Sequence, residues 1–244
     1  MIFLKSLICK LLCINNLYNN NFYILLGILK FQNYNLKFIS FKKSKIHYLE
    51  NNIYYDIYKD NLHNVNHFYN SNNKNNKKNI FKEYKYYNDL TTEHIFPQSF
   101  LKIYPKAKFD MHNIFLTNGK VNSYRSNYKF VDKFEFLIKK KKNYYFKYNQ
   151  LIVYNNYTNY INTSCQTFIP IHSSRGLVAR SIAYMKYTYE DLILENAIDK
   201  NILFKWNKEY PPSEIEKKQN ILIKEIQGNE NIFINDYELV NMYF

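Results

Sequence analysis

The spacing of apolar and polar positions is clearest from residue 89 onward. Residues 89–98 have the apolar content and bounding proline of a strand, and Asn113–Thr117 predicts a second short strand. The pair Asn118-Gly119 is a turn signal, and the apolar spacing over Val121–Tyr128 is helical. This part of the chain therefore predicts a strand, a loop, a strand and a helix, which is the ββα order.

The C-terminal half predicts one further hairpin strand, followed mainly by helices. Alternating aromatic residues over 144–154 favour the strand, and Gly176–Tyr189 carries an apolar stripe at helical spacing. Ser213 and Glu216 have capping-box spacing, and Gly228 is a good helix stop. The predicted fold class is α+β, with a ββα core and a mainly helical C-terminal part.

The first 88 residues lack comparable periodicity. Residues 1–31 hold short apolar runs below the ~18–20 residues that a membrane span needs, so no stable span is predicted. Few acids and frequent lysines there predict a signal or transit leader. Residues 32–88 are rich in Asn and Lys and are low-complexity over 70–79, which predicts a loosely ordered extension. We therefore predict a folded domain over 89–244 that stands without residues 1–84.

The charge of the chain indicates a polyanionic partner. Its formal net charge is +14, and phosphate neutralisation dominates the affinity of proteins for nucleic acids. The alternative is that a compositional bias toward lysine, with the residues simply solvated, produces the same number. A net positive charge is thus typical of nucleic-acid-binding proteins, and the assignment of such binding requires support from specific residues.

Candidate chemistry lies between residues 93 and 127. Carboxylate and amide oxygens, here from Glu93 and from Asn122 or Asn127, suit a hard cation such as Mg²⁺. His94 can act as a base near neutral pH, and Arg125 offers a planar fork for phosphate. On a helix, Asn122 and Arg125 share a face, so Asn122 is the preferred ligand and Asn127 the reserve. The inventory predicts metal-assisted phosphodiester hydrolysis.

These motifs resemble the endonuclease I family, a branch of the His-Me finger (ββα-metal) nucleases. By motif the resemblance spans about residues 90 to 240 and rests on ordered blocks. The blocks are Glu93-His94-Ile95-Phe96-Pro97, Asp110-Met111-His112-Asn113-Ile114, Val121-Asn122-Ser123-Tyr124-Arg125-Ser126-Asn127, residues 168–170 with 176–185, and residues 206–234.

The resemblance implies roles for the central residues. Glu93 would be the metal carboxylate, with Asn122 as the amide ligand, and His94 would be the base that deprotonates water. Arg125 or Arg180 would clamp the non-bridging phosphate oxygens. Glu93 and His94 are neighbours that face opposite sides of a regular strand, so both serve one site only if the strand ends or twists there.

Further residues are assigned to substrate binding or to support. Arg180 and Asn127 are candidate substrate contacts, as is Lys120, which stands where the family often has an acid. His112 is interpreted as structural, with a second base or a metal ligand as its alternatives. Asn113 is proposed to fix the tautomer of His94.

The prediction is a monomeric endonuclease with little sequence preference that hydrolyses DNA, with RNA as an open alternative. The cofactor is Mg²⁺, with Ca²⁺ or Mn²⁺ as alternatives, and the leader favours the secretory pathway or an organelle over the cytoplasm. One rival is a nucleic-acid-binding protein that kept the fold without catalysis. The other is a zinc-stabilised module using His94 and His112, which is weak because cysteine partners at zinc spacing are missing.

Overall fold

The structure is a computed structural model. It describes residues 37, 40, 43–44, 48, 56–59, 90–133, 149–154 and 157–244. The predicted leader over 1–31 and the low-complexity stretch over 70–79 lie outside the described residues.

A two-stranded sheet and one helix form the first unit. Strand β1 (Leu90–His94) pairs antiparallel with β2 (Ile114–Asn118), with Glu93 opposite Phe115. Helix α1 (Gly119–Arg125) follows directly, because the Asn118 side chain accepts a hydrogen bond from the backbone N–H of Lys120 and caps it. Every residue of β2 is buried. The predicted turn signal at Asn118-Gly119 thus begins a helix, and the elements follow the order strand, strand, helix.

The described residues also form a second, four-stranded sheet. It contains β3 (Lys129–Phe130), β4 (Asn149–Tyr154), β5 (Tyr157–Asn162) and β6 (Thr167–Ile169), in the order β3-β6-β5-β4. Strand β3 runs parallel to β6, and the other pairs are antiparallel. Of the hairpin strand predicted around residues 144–154, residues 149–154 form β4, which pairs with β5, and residues 144–148 lie outside the described residues.

Helices make up the C-terminal part. They are α2 (Arg175–Thr188), α3 (Lys200–Glu209), α4 (Glu214–Gln227), α5 (Ile232–Asn235) and α6 (Leu239–Tyr243). Helix α4 begins at the Ser213 cap and ends at Gly228, whose φ of 102° a residue with a side chain rarely adopts. The α+β prediction is confirmed. None of the helices in the described part of the chain is long and apolar enough to cross a membrane.

A short piece of the N-terminal part lies inside the core. We call residues Asp56–Lys59 the strap. The backbone N–H of Ile57 donates to the carbonyl of Leu116 at 3.0 Å, and the Asp56 carboxylate accepts hydrogen bonds from the Thr117 hydroxyl at 2.7 Å and from the Asn118 N–H at 3.1 Å. The strap therefore begins beside the start of α1 and runs back along β2.

Tyr48 is a second buried residue from the same part of the chain. Its hydroxyl donates to the carbonyls of Met111 and Ile114 at 3.0 and 2.9 Å, and burial raises its pKa well above the usual range. The core thus includes residues from the range 32–88, for which the sequence predicts a loosely ordered extension. The limits of the predicted domains themselves remain predictions.

Candidate active site

Glu93 lies near the end of β1 with its side chain turned inward, only 2% exposed. Its Oε1 accepts a hydrogen bond from the Tyr58 hydroxyl at 2.9 Å and lies 3.2 Å from Arg125 Nε. Burial raises the pKa of Glu93, while Arg125 and Tyr58 partly offset that effect. Both described side-chain partners are on Oε1, and the carboxylate also accepts a hydrogen bond from the backbone N–H of His94.

Arg125 is buried and supports the backbone rather than facing solvent. Nη1 donates to the carbonyls of His94 and Ser126 at 3.0 and 3.1 Å, and Nη2 donates to the carbonyl of Ile95 at 2.5 Å. The guanidinium also lies over the Phe130 ring. At 1% exposure its described contacts are with the end of β1. The phosphate clamp stays a prediction.

Asn122 joins α1 to β1. Its Nδ2 donates to the Thr91 hydroxyl and to the Thr92 carbonyl, both at 3.0 Å. The Asn122 amide therefore lies against β1 at Thr91 and Thr92, the two residues that precede Glu93.

His94 is the last residue of β1 and is half-buried. Its Nε2 lies 2.7 Å from the carbonyl oxygen of Lys108, which can only accept, so the ring proton is assigned to Nε2 and the lone pair to Nδ1. Burial lowers the pKa of His94, and the nearby Arg125 lowers it further, while the Lys108 carbonyl opposes the shift. Strand β1 ends directly after His94, so Glu93 and His94 are both among its paired residues.

Asn113 contacts the chain just after His94, not the His94 ring. Its Oδ1 accepts from the Phe96 N–H at 2.7 Å, and its Nδ2 donates to the Phe96 carbonyl at 3.0 Å. The bond that sets the tautomer comes from the Lys108 carbonyl. The support predicted from Asn113 is corrected accordingly: it fixes the backbone that leaves β1.

His112 lies in the connection between β1 and β2, just before β2, and contacts the C-terminal part of the chain. Its Nε2 is 3.1 Å from the carbonyl of Asn229, and its ring packs against Tyr184 with centroids 4.5 Å apart. Its backbone N–H donates to the Asp110 carboxylate. These contacts tie the connection to the C-terminal helices, which agrees with a structural histidine.

Arg180 lies in the helical part and is fully engaged. Its Nε and Nη2 donate to the two carboxylate oxygens of Glu216, both at 2.7 Å, and Nη1 donates to the Tyr210 carbonyl at 2.8 Å. It is 1% exposed, and its assignment to substrate binding stays a prediction.

Lys120 and Asn127 are both exposed, at the first turn of α1 and just beyond its end. Their accessibility allows contact with a solvent-borne ligand. The strap residue Tyr58 and the Lys108 carbonyl were not predicted. Tyr58 stands in an Asn- and Tyr-rich background without periodicity, and a backbone carbonyl leaves no mark in the residue type.

Comparison with known proteins identifies the family of the chain. The sequence model of the endonuclease I family matches residues 14–238. The chain belongs to the endonuclease I family. This match begins well before residue 90, where the resemblance by motif starts.

Two curated relatives are nucleases from Aeromonas hydrophila. A periplasmic deoxyribonuclease is 33% identical over 130 residues, which is 53% of this chain and 48% of the relative. An extracellular deoxyribonuclease is 32% identical over 126 residues, 51% of this chain and 48% of the relative. The chain thus matches about half the length of each.

The donor set of this endonuclease I chain fits a hard cation. Glu93 supplies a carboxylate and Asn122 an amide oxygen, and Mg²⁺ is usually held by one or two carboxylates while water and substrate phosphate complete its shell. Within the described residues, no group of three or more His, Cys, Asp and Glu side chains is placed to hold a metal. A zinc centre on His94 and His112 gains no support, because the two rings bond to different carbonyls, those of Lys108 and Asn229.

Proposed function

We propose that this endonuclease I chain is a Mg²⁺-dependent endonuclease that hydrolyses DNA with little sequence preference. The observation that carries the proposal is the end of β1. There the buried Glu93 carboxylate, the Asn122 amide bonded to Thr91 and Thr92, and His94 with its Nε2 on the Lys108 carbonyl come from neighbouring positions of β1 and α1. The names of both Aeromonas relatives support DNA as the substrate.

Glu93 and Asn122 would hold the cation, which supplies charge compensation for the phosphate and the leaving oxygen. His94 Nδ1 accepts a proton from water, and the water oxygen attacks phosphorus while the bond to the leaving oxygen breaks. The Lys108 carbonyl accepts from Nε2–H and stabilises the imidazolium that forms. Arg125 fixes the backbone of His94 and thereby the direction of the ring. The family resemblance implies products with 5′-phosphate ends.

The remaining parts of the proposal concern partners and location. A net charge of +14 and the exposed Lys120 and Asn127 support contact with the sugar–phosphate backbone. RNA remains an alternative substrate with the same phosphodiester chemistry. The relatives are named periplasmic and extracellular, which supports an exported protein. We propose a monomer, because a single chain supplies the carboxylate, the amide and the base.

Incubation of the full chain with supercoiled plasmid tests the proposal. We expect nicked and then linear DNA with Mg²⁺, and none with EDTA. His94→Ala and Glu93→Gln are run beside Lys217→Gln, which changes an exposed charge on α4 far along the chain from the site. Binding of plasmid without cleavage at any metal concentration would favour the non-catalytic alternative.

A further inference from the structure

The strap places a tyrosine directly on the carboxylate of the candidate metal site. The Tyr58 hydroxyl donates to Glu93 Oε1 at 2.9 Å, and Tyr58 is 1% exposed. The partner of this contact is an inner residue of β1, 35 positions along the chain. A buried tyrosine hydroxyl in contact with a buried carboxylate is thus supplied by a segment outside the ββα unit.

The strap is anchored on both sides of Tyr58. Asp56 is bonded to the end of β2, as described above, and the carbonyl of Ile57 accepts a hydrogen bond from the Ser174 hydroxyl. The carbonyl of Tyr58 accepts from Asn159 Nδ2 at 2.9 Å, and its ring packs edge-on against Phe168 with centroids 5.0 Å apart. The second sheet, the start of α2 and β2 together fix where the hydroxyl lies.

This anchoring matters because the other partner of Glu93 is poorly aligned. Arg125 Nε lies 3.2 Å from Oε1 but makes no hydrogen bond, whereas its two Nη atoms are engaged with backbone carbonyls. The Tyr58 hydroxyl is therefore the directional side-chain contact of the carboxylate, which also accepts a hydrogen bond from the backbone N–H of His94. Partners that orient a ligating group in this way contribute to metal affinity without touching the metal.

We propose that Tyr58 is a positioning residue that orients the Glu93 carboxylate toward the cation. The inference rests on the proposed function, in which Glu93 holds the metal. It assigns to the N-terminal strap a part in divalent-metal binding, in addition to its packing against β2.

Tyr58→Phe tests this inference with Tyr48→Phe as the matched control. Phenylalanine keeps the ring that packs on Phe168 and removes only the hydroxyl. Tyr48→Phe removes an equally buried hydroxyl whose two bonds go to backbone carbonyls. Titration of free Mn²⁺ by electron paramagnetic resonance measures affinity without catalysis, and plasmid cleavage gives the half-saturating Mg²⁺ concentration.

We expect Tyr58→Phe to weaken Mn²⁺ binding and raise the half-saturating Mg²⁺ concentration by about tenfold or more. Saturating Mg²⁺ should restore the turnover of this variant. Tyr48→Phe should melt at a lower temperature and keep the wild-type metal affinity. Equal Mn²⁺ affinity in wild type and a folded Tyr58→Phe would overturn the inference.

Failure of the inference and failure of the proposed function are distinguishable. Wild type that never cleaves DNA with Mg²⁺ would refute the proposed function, whereas active wild type with an unchanged Tyr58→Phe refutes only the inference. If Tyr58→Phe does not fold, Ser174→Ala decides, because it frees the strap at Ile57 and retains the tyrosine. A measurable loss of Mn²⁺ affinity in that variant supports the inference, and an unchanged affinity overturns it.

Discussion

Two buried arginine–glutamate pairs in this molecule have the same residue types and different geometries. In the helical part, Arg180 and Glu216 meet through two hydrogen bonds of 2.7 Å. At the end of β1, Arg125 approaches Glu93 at 3.2 Å through Nε alone and is not aligned to donate. Both arginines are 1% exposed, so burial does not distinguish the two pairs.

The difference lies in how much of each carboxylate is used. Both oxygens of Glu216 are occupied by its arginine, and the pair is closed. The Arg125 guanidinium is instead engaged with three backbone carbonyls, and Glu93 has its described side-chain partners on one oxygen only. A buried carboxylate that its arginine neutralises incompletely is suited to bind a cation, whereas a bidentate pair is suited to hold two helices together.

The largest effect is expected at His94, which follows Glu93 of the Arg125–Glu93 pair in the chain. Loss of a general base lowers rate by about two to four orders of magnitude. We therefore expect His94→Ala to cleave that much more slowly in single-turnover assays, while its affinity for DNA changes by less than about tenfold, or 1.4 kcal/mol. His112→Ala is the control, because it should lose stability more than rate. Near-normal cleavage by His94→Ala would remove the base assignment.

The Arg180–Glu216 pair should contribute mainly to the free energy of unfolding. Glu216→Gln leaves the Arg180 charge without its buried partner, and breaking such a pair costs about 3 to 5 kcal/mol. Urea unfolding should report this loss, with the half-saturating Mg²⁺ concentration unchanged in the folded fraction. Glu93→Gln should show the reverse pattern, with a large loss of metal affinity. Equal metal requirements in the two variants would show that the two pairs do not differ in function.

A smaller effect is expected at Asn122, whose amide is bonded to β1. Asn122→Ala should raise the half-saturating Mg²⁺ concentration by about tenfold, with rescue at high Mg²⁺. Asn220→Ala, which removes a buried amide bonded to the Asn231 carbonyl in the helical part, should lower the melting temperature and leave the Mg²⁺ requirement alone. An Asn122→Ala variant with full activity at low Mg²⁺ would transfer the ligand role elsewhere, with Asn127 as the next candidate.

The smallest expected effect is a pH dependence of stability at His112. Burial lowers the pKa of His112 below its usual 6.5, so the unfolded chain takes up the proton first as pH falls. Its contribution to stability is present above the unfolded pKa and is lost as pH falls through the folded pKa. The difference in unfolding free energy between wild type and His112→Gln should therefore shrink from pH 7 to pH 5. A constant difference across that range would contradict the assignment of a buried neutral histidine.

The sequence predicted well what local spacing controls. The cap at Ser213 and the stop at Gly228 each act over a few residues, and each marks the predicted boundary, whereas the helix predicted from Val121 begins two residues earlier, at Gly119. Such features need no knowledge of the rest of the chain.

Long-range partners were not predictable in the same way. Arg125 and Arg180 have the residue type of phosphate clamps, and only the fold shows that carbonyls and Glu216 occupy them. Tyr58 reaches Glu93 because β2, Asn159 and Ser174 converge on the strap, and no local pattern encodes that convergence. The net positive charge of the chain likewise indicated a polyanionic partner, without indicating which basic side chains contact that partner.

The hydrogen bond from the His94 ring to the carbonyl of Lys108 has a consequence for sequence variation. A main-chain oxygen is present whichever amino acid occupies the position, so Lys108 can be replaced without losing the contact. An insertion or deletion between Gln98 and Phe109 would move that oxygen, whereas a change of residue type would not. Across variants of this chain, we therefore expect the length of this connection to be restricted while position 108 accepts many residues.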